Sequence, residues 1–495
     1  MNKKTSILLV LGFVFLMKAS FAQPCKEVIA YYPNWQWYDR SHLVEPTSID
    51  YSKYSIINYA FFNPLADGSI AQTDSWADEN LLFGQPDWVN GGYLPNTSLI
   101  DIAHNNNVDV MVSIGGWTLS NNFPGIAANQ AKRTYFASEC IRLLQTFGFD
   151  GIDLDWEYPG YAEHNGTAAD GVNFTLLVQE IRDSIDAYGL SVGKNFLLSS
   201  CFSADPAKME IIEWSNLIGE LDMFNIMTYD FFGAFSAVSN HNSPLYTPAV
   251  GTTSFNIDSA FINITQTHGV PSSFVNIGVP FYGRSVTNCT GLHQSHSGAG
   301  DAATFWEDEG TPLFYNVLKN MNLFTTYWDS QAQVPYLLGN SINTFVSYDD
   351  EQSVALKAEY VVNNNARGVI VWELTGDYVE TSQGSGTIDG TPLIDTLNAV
   401  LCSIPTSIEE DISVKNKSLS VIPNPVRQNR NIAINISDKD FTNGTIEVFS
   451  VEGKIIYSSM FNNQTKFSFS FSDKGLYIIK ISNNVKIYSQ KMIVY

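Results

Sequence analysis

Eight short apolar runs recur between residues 28 and 374, and they limit the fold more than any other feature of the chain. Most are nearly continuous in hydrophobic residues, which is typical of parallel strands that are covered on both faces. Segments with helical spacing lie between many of them, for example residues 131–147 and 171–188. This alternation predicts an α/β fold, a (β/α)8 TIM barrel, with its chemistry at the carboxyl ends of the strands. The runs span residues 28–35, 55–62, 108–117, 149–157, 196–202, 223–230, 275–284 and 368–374.

Two further regions lie outside this repeat. Residues from about 285 to 345, between the seventh and eighth runs, are too many for one helix and are rich in aromatic residues and glycine. They predict a small α+β insertion beside the mouth of the barrel. After a polar linker at residues 403–417, short alternating stretches separated by turn signals predict a C-terminal all-β sandwich over residues 418–495. The predicted strands there are 432–436, 445–450, 454–460, 466–471, 475–481 and 486–494.

The N-terminus has the features of a secretory signal peptide. Two lysines precede an apolar run that ends in small residues, which predicts cleavage after residue 22 and a barrel domain over residues 23–402. No other stretch is apolar for long enough to span a bilayer, so we expect no membrane span. A formal charge of −23 argues against nucleic acid as a partner.

Five cysteines in an exported chain permit two disulfides and one free thiol. Cys25 precedes the first strand and Cys402 follows the last helix, and a closed barrel brings those ends together. A disulfide between them is therefore expected, with Cys289 as the rival partner. Cys140 and Cys201 are expected to be buried thiols. The spacing of the five cysteines resembles no zinc site, and we expect neither a metal nor a cofactor.

Residues 150–157 read DGIDLDWE and carry the strongest chemical signal in the chain. Side chains alternate along a strand, so Asp153, Asp155 and Glu157 share one face. Three carboxyl groups this close raise at least one pKa, so one can stay protonated while another is charged. Cleavage of a glycosidic bond needs such a combination. The other interpretation is an acidic strand end that caps a helix or binds a metal.

With these residues in hand, residues 24–400 resemble a secreted chitinase of glycoside hydrolase family 18. Residues 150–157 match that family's D-x-x-D-x-D-x-E signature on the predicted fourth strand. Three further motifs follow in barrel order on the third, sixth and eighth strands. They are Ser113-x-Gly115-Gly116, Met227-x-Tyr229-Asp230 and Trp372.

The resemblance implies a role for each matched residue. Glu157 would protonate the glycosidic oxygen, while Asp155 orients the acetamido nitrogen of the substrate and Asp153 shares a proton with Asp155. The nucleophile would be the carbonyl oxygen of the substrate's own N-acetyl group, with net retention. Tyr229 and Asp230 would hold that group, with Met227 as a neighbouring contact and Trp372 as the floor under the sugar.

Several other side chains are candidates for lining the cleft. Gly116 is included, although it and its neighbours are expected to shape the barrel floor more than to touch substrate. Arg284 would bond the sugar or pair with an acid. The aromatic candidates, each of which could instead belong to the core, are Tyr32, Trp35, Trp37, Phe62, Trp117 and Tyr282.

The C-terminal residues resemble the sorting domains of the type IX secretion system. The resemblance is carried by Pro423-Asn424-Pro425, Gly475-Leu476-Tyr477 and the terminal residues 491–495. It implies that the secretion machinery is a partner and that the protein is extracellular or on the cell surface after passing through the periplasm. A carbohydrate-binding module is the competing interpretation, but no tryptophan follows Trp372.

The expected substrates are chitin and chitooligosaccharides, cleaved by a monomer. An endo-β-N-acetylglucosaminidase acting on N-glycans shares the carboxylate signature and is the main alternative. A non-catalytic chitin lectin is a weaker one, because lectins of this fold have usually lost the acid that Glu157 supplies. A surface adhesin leaves the four motifs unexplained.

Overall fold

The computed structural model describes residues 25–251, 254–305 and 309–402, and in the C-terminal region residues 419–422, 424, 426, 428–438, 441–450, 454–483 and 487–494. The predicted signal peptide at 1–22 and the predicted linker at 403–417 lie outside the described residues. None of the described helices combines the length and the apolar character needed to cross a membrane.

Eight parallel strands close into a barrel, as the apolar runs predict. The first strand pairs with both the second and the eighth, which completes the ring. The third and fourth strands pair in the register Ser113 opposite Asp153, which places polar residues of neighbouring strands side by side in the interior. In chain order the strands are Glu27–Pro33, Ile56–Pro64, Asp109–Gly115, Gly151–Asp155, Leu197–Ser203, Met223–Met227, Val275–Pro280 and Gly368–Trp372.

Helices cover the outside of the barrel, and their ends follow from local sequence. The helix Gln130–Phe147 begins where the Asn129 side chain accepts from the Lys132 amide and ends at Gly148, which has a φ of 85°. The predicted helices at 131–147 and 171–188 are both present. The α-helices are Ser75–Leu82, Leu99–Asn105, Phe123–Ala127, Gln130–Phe147, Asp170–Val192, Pro206–Met209, Trp214–Leu217, Ile257–Ile262, Phe314–Lys319, Glu351–Asn363 and Pro392–Leu401.

The insertion between the seventh and eighth strands is an α+β unit, as predicted. Its antiparallel sheet pairs the strands in the order Phe324–Asp329, Val334–Gly339, Thr344–Ser347 and Arg284–Thr287. The helix Phe314–Lys319 accompanies the sheet. Because the first strand of this unit starts four residues after the seventh barrel strand ends, the unit is anchored at the carboxyl end of the barrel.

The C-terminal region forms two antiparallel sheets, which confirms the all-β prediction. Val421, Ile434, Val448 and Ile479 are fully buried in their shared core. One sheet holds Leu419–Ile422, Asn431–Ile436 and Lys466–Ser470, and the other holds Asn443–Ser450, Ile455–Asn462, Gly475–Ser482 and Ile487–Val494.

A disulfide joins Cys25 to Cys402, as expected from the closure of the barrel. It ties the start of the first strand to the end of the last helix. Cys140, Cys201 and Cys289 are buried free thiols, so the rival pairing with Cys289 is absent.

Candidate active site

The acidic segment lies on the fourth barrel strand and just beyond its carboxyl end. Asp153 is fully buried in the barrel, and Asp155 is 4% exposed. Glu157 follows two residues after the strand ends and lines the cleft above it. The alternation predicted from the sequence therefore brings the three carboxyl groups along one line, from the barrel interior to the cleft.

Asp153 is surrounded by hydrogen-bond donors from neighbouring strands. The Ser113 hydroxyl donates to its Oδ2 at 2.8 Å and the Tyr31 hydroxyl at 2.9 Å. The Ser199 hydroxyl and the Asn225 amide donate to its Oδ1. Burial raises the pKa of Asp153, and these hydrogen bonds oppose that rise.

Asp155 differs from Asp153 because its Oδ1 is buried without a hydrogen-bond partner. Burial raises the pKa of Asp155 well above its ordinary value, and the charges of Glu157 and Asp153 raise it further. A buried carboxylate oxygen without a donor is costly. It is explained if a ligand supplies the donor.

Glu157 is held at the cleft through its backbone, whose amide donates to the Ser120 hydroxyl at 2.8 Å. Burial is the main cause that raises the pKa of Glu157 to about 7, and the nearby Asp230 charge adds to it. A carboxyl group with that pKa keeps its proton at mildly acidic pH. It can therefore act as a general acid.

Tyr229 and Asp230 follow the sixth strand, and a polar network fixes Asp230. Arg284 binds both oxygens of Asp230, with its Nε at 2.8 Å from Oδ1 and an Nη at 2.6 Å from Oδ2. The Tyr282 hydroxyl donates to the same carboxylate. Of the two alternatives for Arg284, pairing with an acid is therefore present. Tyr282 is a support for Asp230, buried behind it.

An aromatic platform forms the floor of the cleft. The rings of Trp372 and Phe61 stack with centroids 5.6 Å apart, and Trp35 lies 6.3 Å from Trp372. Gly116 packs against this platform, since a Cβ there would lie 2.8 Å from the Phe61 ring. Gly116 thus shapes the floor through close approach. Flat rings of this kind suit the apolar faces of sugars.

The cleft has a volume of about 1210 Å³. Of the predicted residues it brings together Asp155, Glu157, Met227, Tyr229, Asp230, Arg284, Trp372, Trp35 and Trp117. Trp117 is 48% exposed, with its ring 4.6 Å from that of His164. Residues of the cleft that the sequence analysis missed are Tyr31, Asn34, Phe61, Thr73, Asp74, Thr118, Leu119, Tyr158, Tyr161, Glu163, Cys201, Lys208 and Phe235.

Three aromatic predictions are wrong. Tyr32 points away from the interior, and its hydroxyl donates to the Val44 carbonyl at 2.6 Å. Phe62 packs edge-on against Phe147 and Phe149 on the helix-covered side of the sheet. The Trp37 ring contacts the His42 ring outside the cleft, with centroids 4.3 Å apart and the planes tilted by 50°. Strand neighbours of the first two, Tyr31 and Phe61, occupy the interior in their place.

No metal-binding arrangement is present among the described residues: they contain no group of three or more His, Cys, Asp or Glu side chains placed to hold an ion. In the acidic segment the Asp153 carboxyl is hydrogen-bonded, the Asp155 carboxyl has an oxygen without a partner, and the Glu157 carboxyl lines the cleft. The arrangement fits proton transfer next to a bound polar group.

Comparison with known proteins gives two family matches. Residues 27–377 match the family described as Glycosyl hydrolases family 18. Residues 420–495 match the family described as Secretion system C-terminal sorting domain.

Named relatives of the chain include bacterial and fungal chitinases. It is 34% identical over 406 residues to Chitinase A1 from Niallia circulans, which covers 72% of this chain and 57% of that protein. It is 34% identical over 370 residues to Endochitinase 1 from Metarhizium robertsii, which covers 73% of this chain and 83% of that protein.

Solved structures similar to this one include chitinases. A chitinase from Bacillus thuringiensis has a TM-score of 0.68 at 26% identity and covers 95% of this chain and 85% of its own. A Group IV chitinase from Ostrinia furnacalis in complex with allosamidin has a TM-score of 0.66 at 27% identity and covers 76% of this chain and 98% of its own.

Proposed function

We propose that this chain hydrolyses the β-1,4 bonds between N-acetylglucosamine units of chitin by substrate-assisted, retaining catalysis. The chain belongs to glycosyl hydrolase family 18 and is a glycoside hydrolase of the chitinase class. One observation carries this proposal. The buried Oδ1 of Asp155 has no hydrogen-bond partner beside a Glu157 whose pKa is raised to about 7.

In the first step Glu157 gives its proton to the oxygen of the glycosidic bond, and that bond breaks. The carbonyl oxygen of the substrate's acetamido group bonds to C1 of the same sugar, which yields an oxazolinium ion. Asp155 accepts a hydrogen bond from the acetamido N–H and stabilises the positive charge. The sugar's own group therefore takes the place of a protein nucleophile.

In the second step water attacks C1 from the side that the leaving sugar has vacated. The Glu157 carboxylate takes one proton from this water and regains its acid form. The C1–oxygen bond of the ring intermediate breaks and returns the acetamido group. Two displacements at C1 give net retention of configuration.

Other residues hold the sugar in the geometry of attack. Tyr229 lines the cleft beside Asp230, and it is positioned to hold the acetamido carbonyl. Trp372 lies below as the apolar face of the site, stacked on Phe61. Holding the acetamido oxygen close to C1 in this way raises the rate of the first step by proximity.

A linear polymer is the substrate that the surroundings of the site favour. The insertion sheet stands beside the mouth of the barrel and contributes Arg284 to the cleft. Two exposed rings that line the cleft, those of Trp35 and Trp117, offer apolar surface to further sugar units. We propose that chitin and chitooligosaccharides bind along this line.

We also propose that the protein is exported. A signal peptide at residues 1–22 would direct it to the periplasm, and the sorting domain matched at residues 420–495 would pass it to a type IX secretion system. Chitin is an insoluble polymer outside the cell, so an enzyme that degrades it must reach the exterior.

The test is Glu157→Gln, assayed on a soluble chitooligosaccharide. The amide keeps the shape but has no proton to give, so turnover falls by about 10²–10⁴-fold or more while binding remains. Glu359→Gln on the exposed face of the helix Glu351–Asn363 is the matched control and keeps wild-type turnover. Retention of more than a tenth of the turnover in Glu157→Gln would overturn the assignment. Faster release of sugar from a high-mannose glycoprotein than from chitin by the wild type would favour an endo-β-N-acetylglucosaminidase.

A further inference from the structure

Lys208 is a cation in the cleft that has no carboxylate partner. Its ammonium lies 4.4 Å from the centre of the Tyr158 ring and 5.4 Å from that of Tyr161. Within the described part of the chain it makes no salt bridge or hydrogen bond, whereas Arg284, the other cation that lines the cleft, is tied to Asp230. A cation left unpaired beside aromatic rings is free to act on a ligand.

The position of Lys208 follows from the barrel. It lies on the short helix Pro206–Met209, which follows the fifth strand and is capped by Asp205. The fifth strand lies across the barrel from the first, which leads into Trp35, and from the eighth, which ends in Trp372. Lys208 therefore lies on the wall opposite the aromatic platform.

Lys208 lies close to the proposed acid, Glu157, whose pKa its charge lowers. Tyr158 is the residue directly after Glu157, and the Lys208 ammonium lies over its ring. If Glu157 protonates the glycosidic oxygen and the cleaved sugar lies on the Trp372 platform, the leaving sugar lies on the Glu157 side, away from the platform. The Lys208 ammonium then faces the leaving sugar.

We propose that Lys208 determines specificity for the leaving sugar: it disfavours a sugar with a free amino group and so favours the N-acetylated one. This inference rests on the proposed function. A deacetylated unit of chitin carries a protonated amine at mildly acidic pH, and two like charges in the cleft repel each other. At separations of several Å in a solvent-rich cleft this repulsion corresponds to about a three- to tenfold preference.

Asp230, Glu157 and Glu163 are acidic groups of the cleft that affect the net charge beside Lys208. Asp230 is neutralised by Arg284, and Glu157 holds a proton at mildly acidic pH because burial raises its pKa to about 7. Glu163 is exposed and accepts a hydrogen bond from the Tyr161 hydroxyl at 2.7 Å, on the ring that the Lys208 ammonium approaches. Its negative charge attracts a protonated amine and therefore opposes the repulsion by Lys208. Removing the Glu163 charge should therefore shift the preference in the opposite direction to removing that of Lys208.

The experiment uses partially deacetylated chitin and the full-length enzyme. Each cleavage turns the leaving sugar into a new non-reducing end, so the identity of these ends, read by mass-spectrometric sequencing, reports the preference directly. Lys208→Met is expected to raise the share of glucosamine at the new ends about three- to tenfold. Lys208→Arg keeps the charge and is expected to keep the wild-type share, and Glu163→Gln is expected to lower it.

A second substrate separates this inference from the proposed function. Fully acetylated oligosaccharides should still be cleaved by Lys208→Met and Lys208→Gln, which also shows that the variants fold. An unchanged share of glucosamine ends in both active variants would overturn the inference. Loss of cleavage of the acetylated substrate in both variants would also overturn it, because a specificity residue is not needed for the chemistry. A wild-type enzyme that cleaves neither substrate would contradict the proposed function.

Discussion

The barrel and the C-terminal sandwich differ in the kind of side chain that they bury. In the described part of the sandwich every fully buried side chain is apolar or aromatic, with Val421, Ile434 and Ile479 at its centre. The barrel buries many charged groups, among them Asp349, Lys357 and the acidic residues of the fourth strand. Burying a charge is costly, so each of these groups needs a structural or a functional explanation.

Within the barrel, three buried acids show the range of explanations. Asp349 is paired with Lys357 at 2.7 Å, which is a structural ion pair. Asp153 receives four side-chain hydrogen bonds from hydroxyl and amide donors, two of them from Ser113 and Tyr31, and the Cys201 thiol donates to its Oδ2 at 3.9 Å. Asp155 alone of the three has an oxygen with no partner. Asp78 and Asp301 also have one buried oxygen without a partner, but neither lines the cleft. What distinguishes Asp155 is that its unpartnered oxygen lies in the cleft that Glu157 also lines.

The largest predicted effect is that of Asp155→Asn. The amide cannot carry the negative charge that steadies the oxazolinium ion, so kcat on a soluble chitooligosaccharide is expected to fall by about 10²–10³-fold. The melting temperature should not fall, because the change removes a buried group that was already unpartnered. A variant with near-wild-type kcat, or one that loses turnover only because it unfolds, would break the contrast between Asp155 and the two satisfied acids.

A smaller effect concerns pH. The folded protein raises the pKa of Glu157 from an ordinary 4.5 to about 7, chiefly by burial, so the acid form persists up to about pH 7. Above that pH the proton is lost, and kcat/KM is expected to fall about tenfold per pH unit. Because the charge of Lys208 lowers the pKa of Glu157, Lys208→Met should move this alkaline limb to higher pH. An alkaline limb centred near pH 4.5 would show that burial does not control the acid.

The smallest effect is predicted for removal of the sandwich. Among the described residues, the polar contacts between it and the barrel include an exposed ion pair at 3.6 Å between Arg430 and Asp183, and one long hydrogen bond from the Asn195 amide to the Val421 carbonyl. Exposed pairs are worth about 0–1 kcal/mol. Truncation after Cys402 should therefore leave the activity on soluble oligomers and the melting of the barrel nearly unchanged, and should stop secretion. A selective loss on crystalline chitin would indicate a carbohydrate-binding module.

The sequence alone was sufficient to predict the strand order of the barrel and the alignment of Asp153, Asp155 and Glu157 on one face of the fourth strand. Alternation along 150–157 placed three carboxyls on one face, because only one side of a strand can face the barrel interior. Four motifs in barrel order brought Met227, Tyr229 and Trp372 to the same end. These predictions depend on strand order and strand ends, which apolar runs mark clearly.

Two of the three misplaced aromatic candidates, Tyr32 and Phe62, lie on strands that are apolar on both faces. Tyr31 and Tyr32 are adjacent, as are Phe61 and Phe62, and periodicity does not show which of the two faces the interior when both are buried. A shift of one residue exchanges the faces, and the prediction took the wrong member of each pair. The register of Tyr31 with the acidic strand, visible in its bond to Asp153, decides the phase. Lys208 was missed because its importance lies in the absence of a partner, which no local pattern records.

The most direct test of substrate-assisted catalysis compares two soluble substrates that differ at one group. One is a chitooligosaccharide glycoside, and the other is the same compound with a hydroxyl in place of the acetamido group on the sugar at the cleaved bond. If the acetamido oxygen is the nucleophile and Asp155 holds its N–H, the wild-type enzyme should cleave the first and leave the second intact over the same time. Cleavage of both at comparable rates would contradict the account.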